Sequence, residues 1–214
     1  MSLRLNGSTS GYVELDAPAT AGSNTLVLPD GNGTSGQYLQ TDGSGGLSWQ
    51  TVPADTNTNL TRGTSLSLSG NTAVTFSSIP SDVKRVLISI YQYSASVAAY
   101  PRVRLGYNSG TFQTTGYTFN STYTASASSY YQANNVGYFD MHHFSASADM
   151  SGHMMLTNIS GNTWVQSHSA GSYGWATSHS GGGDVALLGT LDTIEFSSST
   201  GTMDSGTVNI FYEV

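Results

Sequence analysis

Five histidines, His142, His143, His153, His168 and His179, fall in the second half of a chain that is otherwise short of ionisable side chains. Zinc or iron ligation needs three or four convergent donors. His142 and His143 are sequence neighbours, and neighbours on a strand point to opposite faces, so that pair does not converge on one ion. Two readings stay open for these residues. They are packed with hydrogen bonds inside or on a sheet, or one histidine from each of three chains gathers on a symmetry axis. No metal and no other cofactor is expected.

Glycoside hydrolysis would need two carboxylates ~5 to 9.5 Å apart, and Asp140, Asp149, Asp192 and Glu195 are the residues that could supply them. Nothing in the spacing marks a pair, and Asp192 and Glu195 read equally well as a turn residue and an exposed acid at a strand mouth. No nucleophile elbow appears. The run Gly181-Gly182-Gly183 lacks the lysine and the following helix of a phosphate cradle. The parts of an enzyme are absent, and a non-enzymatic protein is expected, with no catalytic residue.

Aromatic side chains near polar segments carry a different chemistry. Ser121 to Asn135 and Gly171 to Asp184 are rich in Tyr, Ser, Gly and Asn, the composition of adaptable binding loops. Tyr130, Tyr131, Tyr173 and Trp175 are the candidate contact residues in them. Trp164, Tyr173 and Trp175 flank the glycine run, where an aromatic plane matches the apolar face of a sugar ring. The competing reading is a core Trp164 with solvated loops around it.

Charge narrows the partners. Only 9% of the 214 residues are charged, against ~25% in an average soluble domain. The formal net charge is −7, and all six basic residues lie at or before Arg104. The second half carries acids alone, so binding of nucleic acid through phosphate neutralisation is not expected. There is no Cys, which leaves the redox compartment open. No apolar run approaches the ~20 residues of a membrane helix, so membrane insertion is not expected, and no signal peptide is visible.

The elements that must position these residues read as strands throughout. With 13 Tyr, 7 Phe and 3 Trp in a Thr-rich chain nearly free of Lys and Glu, helix should be almost absent. Residues 1–56 are short apolar clusters between turn-forming runs, each too small to enclose a core. Their apolar residues, Leu5, Tyr12, Val13, Leu15, Leu26, Leu28, Tyr38, Leu39 and Trp49, are candidates to pack against copies of the chain or another surface. Residues about 52–64 read as a linker. From 57 to 214, roughly nine to eleven strands separated by Gly, Ser and Asn turns predict a jelly-roll-like β-sandwich. Val86 to Tyr93 is long enough for a central strand covered on both faces, and Thr207 to Val214 reads as a terminal core strand.

The segment from Leu5 to Trp49 also carries a resemblance. Its GSTSGYV opening, APATAGSNTLVLP middle and QTDGSGGLSW close resemble a short module near the start of virion proteins of tailed phages, marine and cyanobacterial phages especially. That match covers about a quarter of the chain. The remainder is similar in texture to C-terminal domains of phage fibres. The resemblance implies a homotrimer on the exterior of a virion assembled in the host cytoplasm. Residues 1–56 would join other virion proteins, and 57–214 would contact a host surface glycan or protein through Tyr130, Tyr131, Tyr173 and Trp175. A short tail fibre fits this pattern first. A capsid decoration, cement or head-fibre protein fits it second, and a polysaccharide-active enzyme third.

Overall fold

The computed structural model describes residues 2–20, 22–52, 60–124, 128–142, 146, 149–173 and 176–214, with only the backbone at 128–130. It is all-β, and among the described residues no helix is long and apolar enough to cross a membrane. The chain divides into two compact units, Met1–Thr56 and Asn57–Val214.

The first unit holds two hairpins. Strand β1 (Leu3–Asn6) pairs antiparallel with β2 (Tyr12–Leu15), and β3 (Gln37–Thr41) pairs antiparallel with β4 (Leu47–Thr51). The apolar cluster that holds Leu26 and Leu28 forms only a single bridge, Val27 to Gly46. Trp49 on β4 is half-buried and donates its indole N–H to the Gly31 carbonyl at 2.6 Å. Gly33, at φ +66°, lies under that ring, where an added Cβ would come within 2.7 Å of the indole. Two-stranded ribbons of this length are marginal alone because they cannot enclose apolar surface. Not one described residue of this unit is buried.

The second unit contains β5 (Thr61–Arg62), β6 (Leu66–Ser67), β7 (Ala73–Phe76), β8 (Arg85–Ala95), β9 (Pro101–Tyr107), β10 (Thr111–Phe112), β11 (Tyr117–Thr124), β12 (Ser128–Val136), β13 (Phe139–Asp140), β14 (Asp149–Ser160), β15 (Thr163–Tyr173), β16 (Thr177–Ala186), β17 (Leu191–Ser198) and β18 (Met203–Glu213). A nine-stranded sheet runs β12-β11-β16-β15-β14-β8-β18-β5, with β6 also on β18. A five-stranded sheet runs β10-β9-β17-β7, with β13 on β9. All pairings are antiparallel. The chain passes repeatedly from one sheet to the other, in the manner of a jelly roll, so each sheet's inner face is built from distant segments.

Alternation with period two sorts the side chains. Val86, Ile88 and Ile90 on β8, Met154 and Leu156 on β14, and Val208 and Ile210 on β18 are buried against Val103 and Leu105 of β9 and Ile194 and Phe196 of β17. Aromatic edges join the sheets: Tyr93 meets Phe196 with centroids 5.8 Å apart, and Tyr117 meets Phe139 at 4.8 Å. The Leu105 N–H donates to the Tyr117 hydroxyl at 2.7 Å, and desolvation pushes that phenol's pKa up.

Three local expectations change. Strand β8 is central, between β14 and β18, but its outer face is open, with Tyr91 60% exposed. Val214 follows β18 and is exposed rather than in the core. The segments read as long loops, Ser121 to Asn135 and Gly171 to Asp184, are mostly strand, within β11, β12, β15 and β16. Their inward positions mix serine, threonine, histidine and glycine with Tyr131 and Ala133, so they give little apolar alternation.

Candidate functional site

Of the candidate attachment residues, Leu5, Tyr12, Val13, Leu15, Tyr38, Leu39 and Trp49 lie on two small ribbons, and Leu26 and Leu28 lie between these ribbons in sequence. In β1–β2 the register places Leu3 opposite Leu15 and Leu5 opposite Val13, which puts four aliphatic side chains on one face. The other face carries Arg4, Glu14 and Tyr12. There Arg4 pairs with Glu14 at 2.9 Å and its guanidinium stacks 4.0 Å from the Tyr12 ring centre. The aliphatic face is uncovered, each of its four side chains being more than half exposed. Leu26, Leu28, Tyr38 and Leu39 are exposed as well, and only Trp49 is partly enclosed.

The four candidate contact residues of the sandwich separate. Tyr173, at the end of β15, is 88% exposed. Tyr131 is not available in that way. It sits on the inner side of β12, stacked on Tyr100 at 5.8 Å and tilted against Phe119 at 5.7 Å, because its position in the alternation points it into the sandwich. Tyr130 is opposite Thr122 in the β11–β12 register, with only its backbone described. Trp175 lies outside the described residues. Trp164 is a core residue, 2% exposed.

Beneath β11, β15 and β16 the interior turns polar, and His168 and His179 lie there packed with hydrogen bonds, as one reading of the histidines had it, within segments whose other polar residues read as loops. Ser121, Gln166, His168, Ser172, Thr177 and His179 are all buried. The Ser121 hydroxyl lies 3.0 Å from His168 Nε2, and His168 Nδ1 lies 3.1 Å from Gln166 Oε1. The Ser121 oxygen in turn accepts the His142 N–H at 2.8 Å. His179 donates through Nδ1 to the His142 carbonyl, and its Nε2 meets the hydroxyls of Ser172 and Thr177 at 3.0 Å each. His142 stacks between Tyr100, at 5.3 Å, and Tyr123, at 5.5 Å.

Burial, reinforced by the neighbouring His179 and His153, pushes His168 down to about 4. Burial also lowers His142 and His179.

A serine, a histidine and a third acceptor in line have the outline of a nucleophile relay, but the parts here are arranged for packing. Ser121 has no exposed surface for a substrate carbonyl to approach, and a neutral glutamine stands where a carboxylate would support an imidazolium. The network ties three strands together through buried hydrogen bonds, with the Gln166 amide nitrogen left without a partner among the described residues. Its signal in the sequence is the period-two series Trp164, Gln166, His168, Ala170, Ser172.

Among the described residues, no three His, Asp or Glu side chains converge as a metal group would require. His143 lies outside the described residues.

Three of the four carboxylates considered for hydrolysis, Asp140, Asp192 and Glu195, have local work. Asp192 accepts from the Ser109 N–H and from the Thr193 hydroxyl, at 2.5 and 2.8 Å. Glu195 pairs with Arg104 at 2.8 Å, and Asp140 with Arg102 at 2.7 Å. Burial nevertheless pushes the Asp140 carboxyl up to about 6, against the pull of Arg102. These pairs, with Arg4–Glu14 and Arg85–Glu213, commit most of the few cations to local partners.

No protein-family model, curated protein or solved structure matches this chain.

Proposed function

We propose that this chain is a structural subunit of a tailed-phage virion, a short tail-fibre or receptor-binding protein that assembles as a homotrimer. Its first unit attaches it to other virion proteins and its sandwich meets the host surface. The observation that carries this reading is the uncovered aliphatic face of β1–β2, formed by Leu3, Leu5, Val13 and Leu15. A ribbon sorted into a charged face and an aliphatic face is built for a partner on the aliphatic side. The virion-module resemblance of Leu5 to Trp49 falls on the same unit. Tyr173 supplies an exposed ring of the kind contact surfaces use. Three such surfaces on one rigid particle gain avidity from individually weak sites.

A second reading, a capsid decoration or cement protein, draws on the same ribbon, whose contacts would then fasten a shell. The test is to measure the mass of the purified chain by light scattering and then the adhesion of the labelled protein to candidate host cells. A trimer that adheres saturably, and loses adhesion on Tyr173→Ala, supports the receptor reading. A stable trimer that ignores every host cell, yet restores heat resistance to particles lacking it, favours decoration. A monomer that is unchanged by Leu5→Asp and Val13→Asp, and that joins no particle, defeats both.

A further inference from the structure

Three consecutive glycines, Gly181, Gly182 and Gly183, occupy the middle of β16, although strand interiors ordinarily disfavour glycine for its entropy and its lack of a side chain to pack. Two of the three have an internal cause. A Cβ on Gly181 would stand 2.2 Å from the Asn120 carbonyl oxygen and 2.5 Å from the His168 ring. One on Gly183 would stand 2.4 Å from the Thr118 carbonyl oxygen and 2.6 Å from Phe119 Cβ. Gly182 has no such cause. Its Cβ would make one ordinary contact, 3.4 Å from the Gln166 carbonyl oxygen, and its φ lies outside the left-handed region. The fold requires glycine at 181 and 183 and accepts a side chain at 182.

What glycine at 182 provides is a hollow in the outer face of the nine-stranded sheet. A groove of about 500 Å³ lies there, within the ~300 to 1,000 Å³ of small-ligand sites. Register brings its polar groups together. Gly182 is opposite Asn120, which is opposite Gln132; Asp184 is opposite Thr118, which is opposite Asn134. The Thr118 hydroxyl donates to Asn134 Oδ1 at 2.9 Å, leaving the Asn134 amide N–H groups to donate elsewhere. Among the described residues no side chain pairs with the amides of Asn120 and Gln132 or with the Asp184 carboxylate.

We propose that this groove binds a neutral saccharide, with a sugar ring lying over Gly182 and its hydroxyls held by Asn120, Gln132, Asn134 and Asp184. The proposal rests on the reading of the sandwich as the host-contacting unit. Amides and a carboxylate in one small space offer both donors and acceptors, which vicinal hydroxyls, each donor and acceptor at once, require. Charge selects against acidic sugars. Asp184 repels an anion, and no Lys or Arg occurs beyond Arg104 to offset it.

The experiment titrates the full-length assembled protein with neutral oligosaccharides of glucose, galactose, mannose and N-acetylglucosamine, beside sialylated and sulfated ones, using ligand-observed NMR. Host-cell adhesion is followed in parallel. Saturable binding of a neutral glycan is expected. Gly182→Thr should melt no lower than the parent, since threonine suits a strand, yet bind about tenfold more weakly or less. Gln132→Ala, at an exposed edge position, should weaken binding without shifting the melt, while Gly181→Ala should lower the melting temperature.

Undiminished glycan binding by Gly182→Thr, binding of acidic glycans alone, or binding of none overturns the groove. Cell adhesion that survives Gly182→Thr overturns the groove as the host contact and leaves the receptor reading standing. Glycan binding that Gly182→Thr abolishes, in a protein that adheres to no host cell, upholds the groove and overturns the receptor reading.

Discussion

The ribbon β1–β2 and the sandwich strands β14–β15 are both antiparallel hairpins, and they differ in what covers them. In the sandwich, Met154 and Leu156 of β14 and Trp164 of β15 are closed over by a second sheet. In the ribbon, Leu3, Leu5, Val13 and Leu15 form an equally regular aliphatic face that no described residue covers. Local pattern is the same in both cases, so pattern alone does not stabilise a hairpin. Stability comes from the covering layer, at ~25 cal/mol per Å² of apolar surface removed from water.

Separating the two units tests that difference most severely. A fragment spanning residues 60–214 should keep a cooperative thermal transition by circular dichroism, and a peptide spanning 1–56 should show none in isolation. Cooperative unfolding of the isolated arm would remove the argument for a partner.

Single substitutions sharpen the same comparison. Leu156→Ala should cost the sandwich about 2–5 kcal/mol in urea unfolding, through lost burial and a residual cavity. Leu15→Ala should change monomer unfolding by less than about 0.5 kcal/mol and show its effect only in assembly, measured by light scattering.

Acid should weaken the polar interior beneath β11, β15 and β16. Between the ordinary histidine value of 6.5 and the folded value of about 4 for His168, the unfolded chain takes up a proton that the folded chain refuses. Stability from this group is therefore complete above pH 6.5, falls as pH drops toward about 4, and then levels. His142 and His179 are shifted in the same direction. Asp140 acts oppositely between 3.8 and about 6, where the folded chain holds a proton that the unfolded chain releases. Three imidazoles against one carboxyl set the net sign, so the urea midpoint should fall on acidification, and His168→Gln should flatten that dependence. A midpoint that rises steadily toward pH 4 would contradict this account.

The smallest effect is expected at the exposed Arg85–Glu213 pair, 3.2 Å apart. Arg85→Ala should cost under about 1 kcal/mol, and that difference should vanish in high salt.

How much was legible in the residues varies along the chain. The ribbon strand Tyr12–Leu15 follows directly from an apolar cluster between turn residues, and most of β18 from the terminal run Thr207 to Val214. Strands β12 and β16 were hidden, because a glycine, a histidine or a serine facing inward looks the same in sequence as one facing water. Tyr131 shows the same limit. Its composition suits a contact loop, and only the pairing of β12 with β11 turns its ring inside. Of the candidate surfaces, exposed Tyr173 stood out by residue type. The groove at Gly182 did not, since it exists only where three strands align.

By itself, then, the sequence determined the all-β character, through aromatic and β-branched residues, abundant turn formers and few helix formers. It also determined the acidic second half, which no folding can alter. Tertiary structure alone decided which polar residues became interior and which apolar residues stayed outside. The physical reason is that facing direction within a strand is local, whereas what lies opposite that face is set by sheet pairing between segments far apart in the chain. His168 and Ser121, 47 residues apart, meet for that reason. Gly182 gains its significance in the same way, from neighbours on β11 and β15 that make it the one glycine of three the interior does not require.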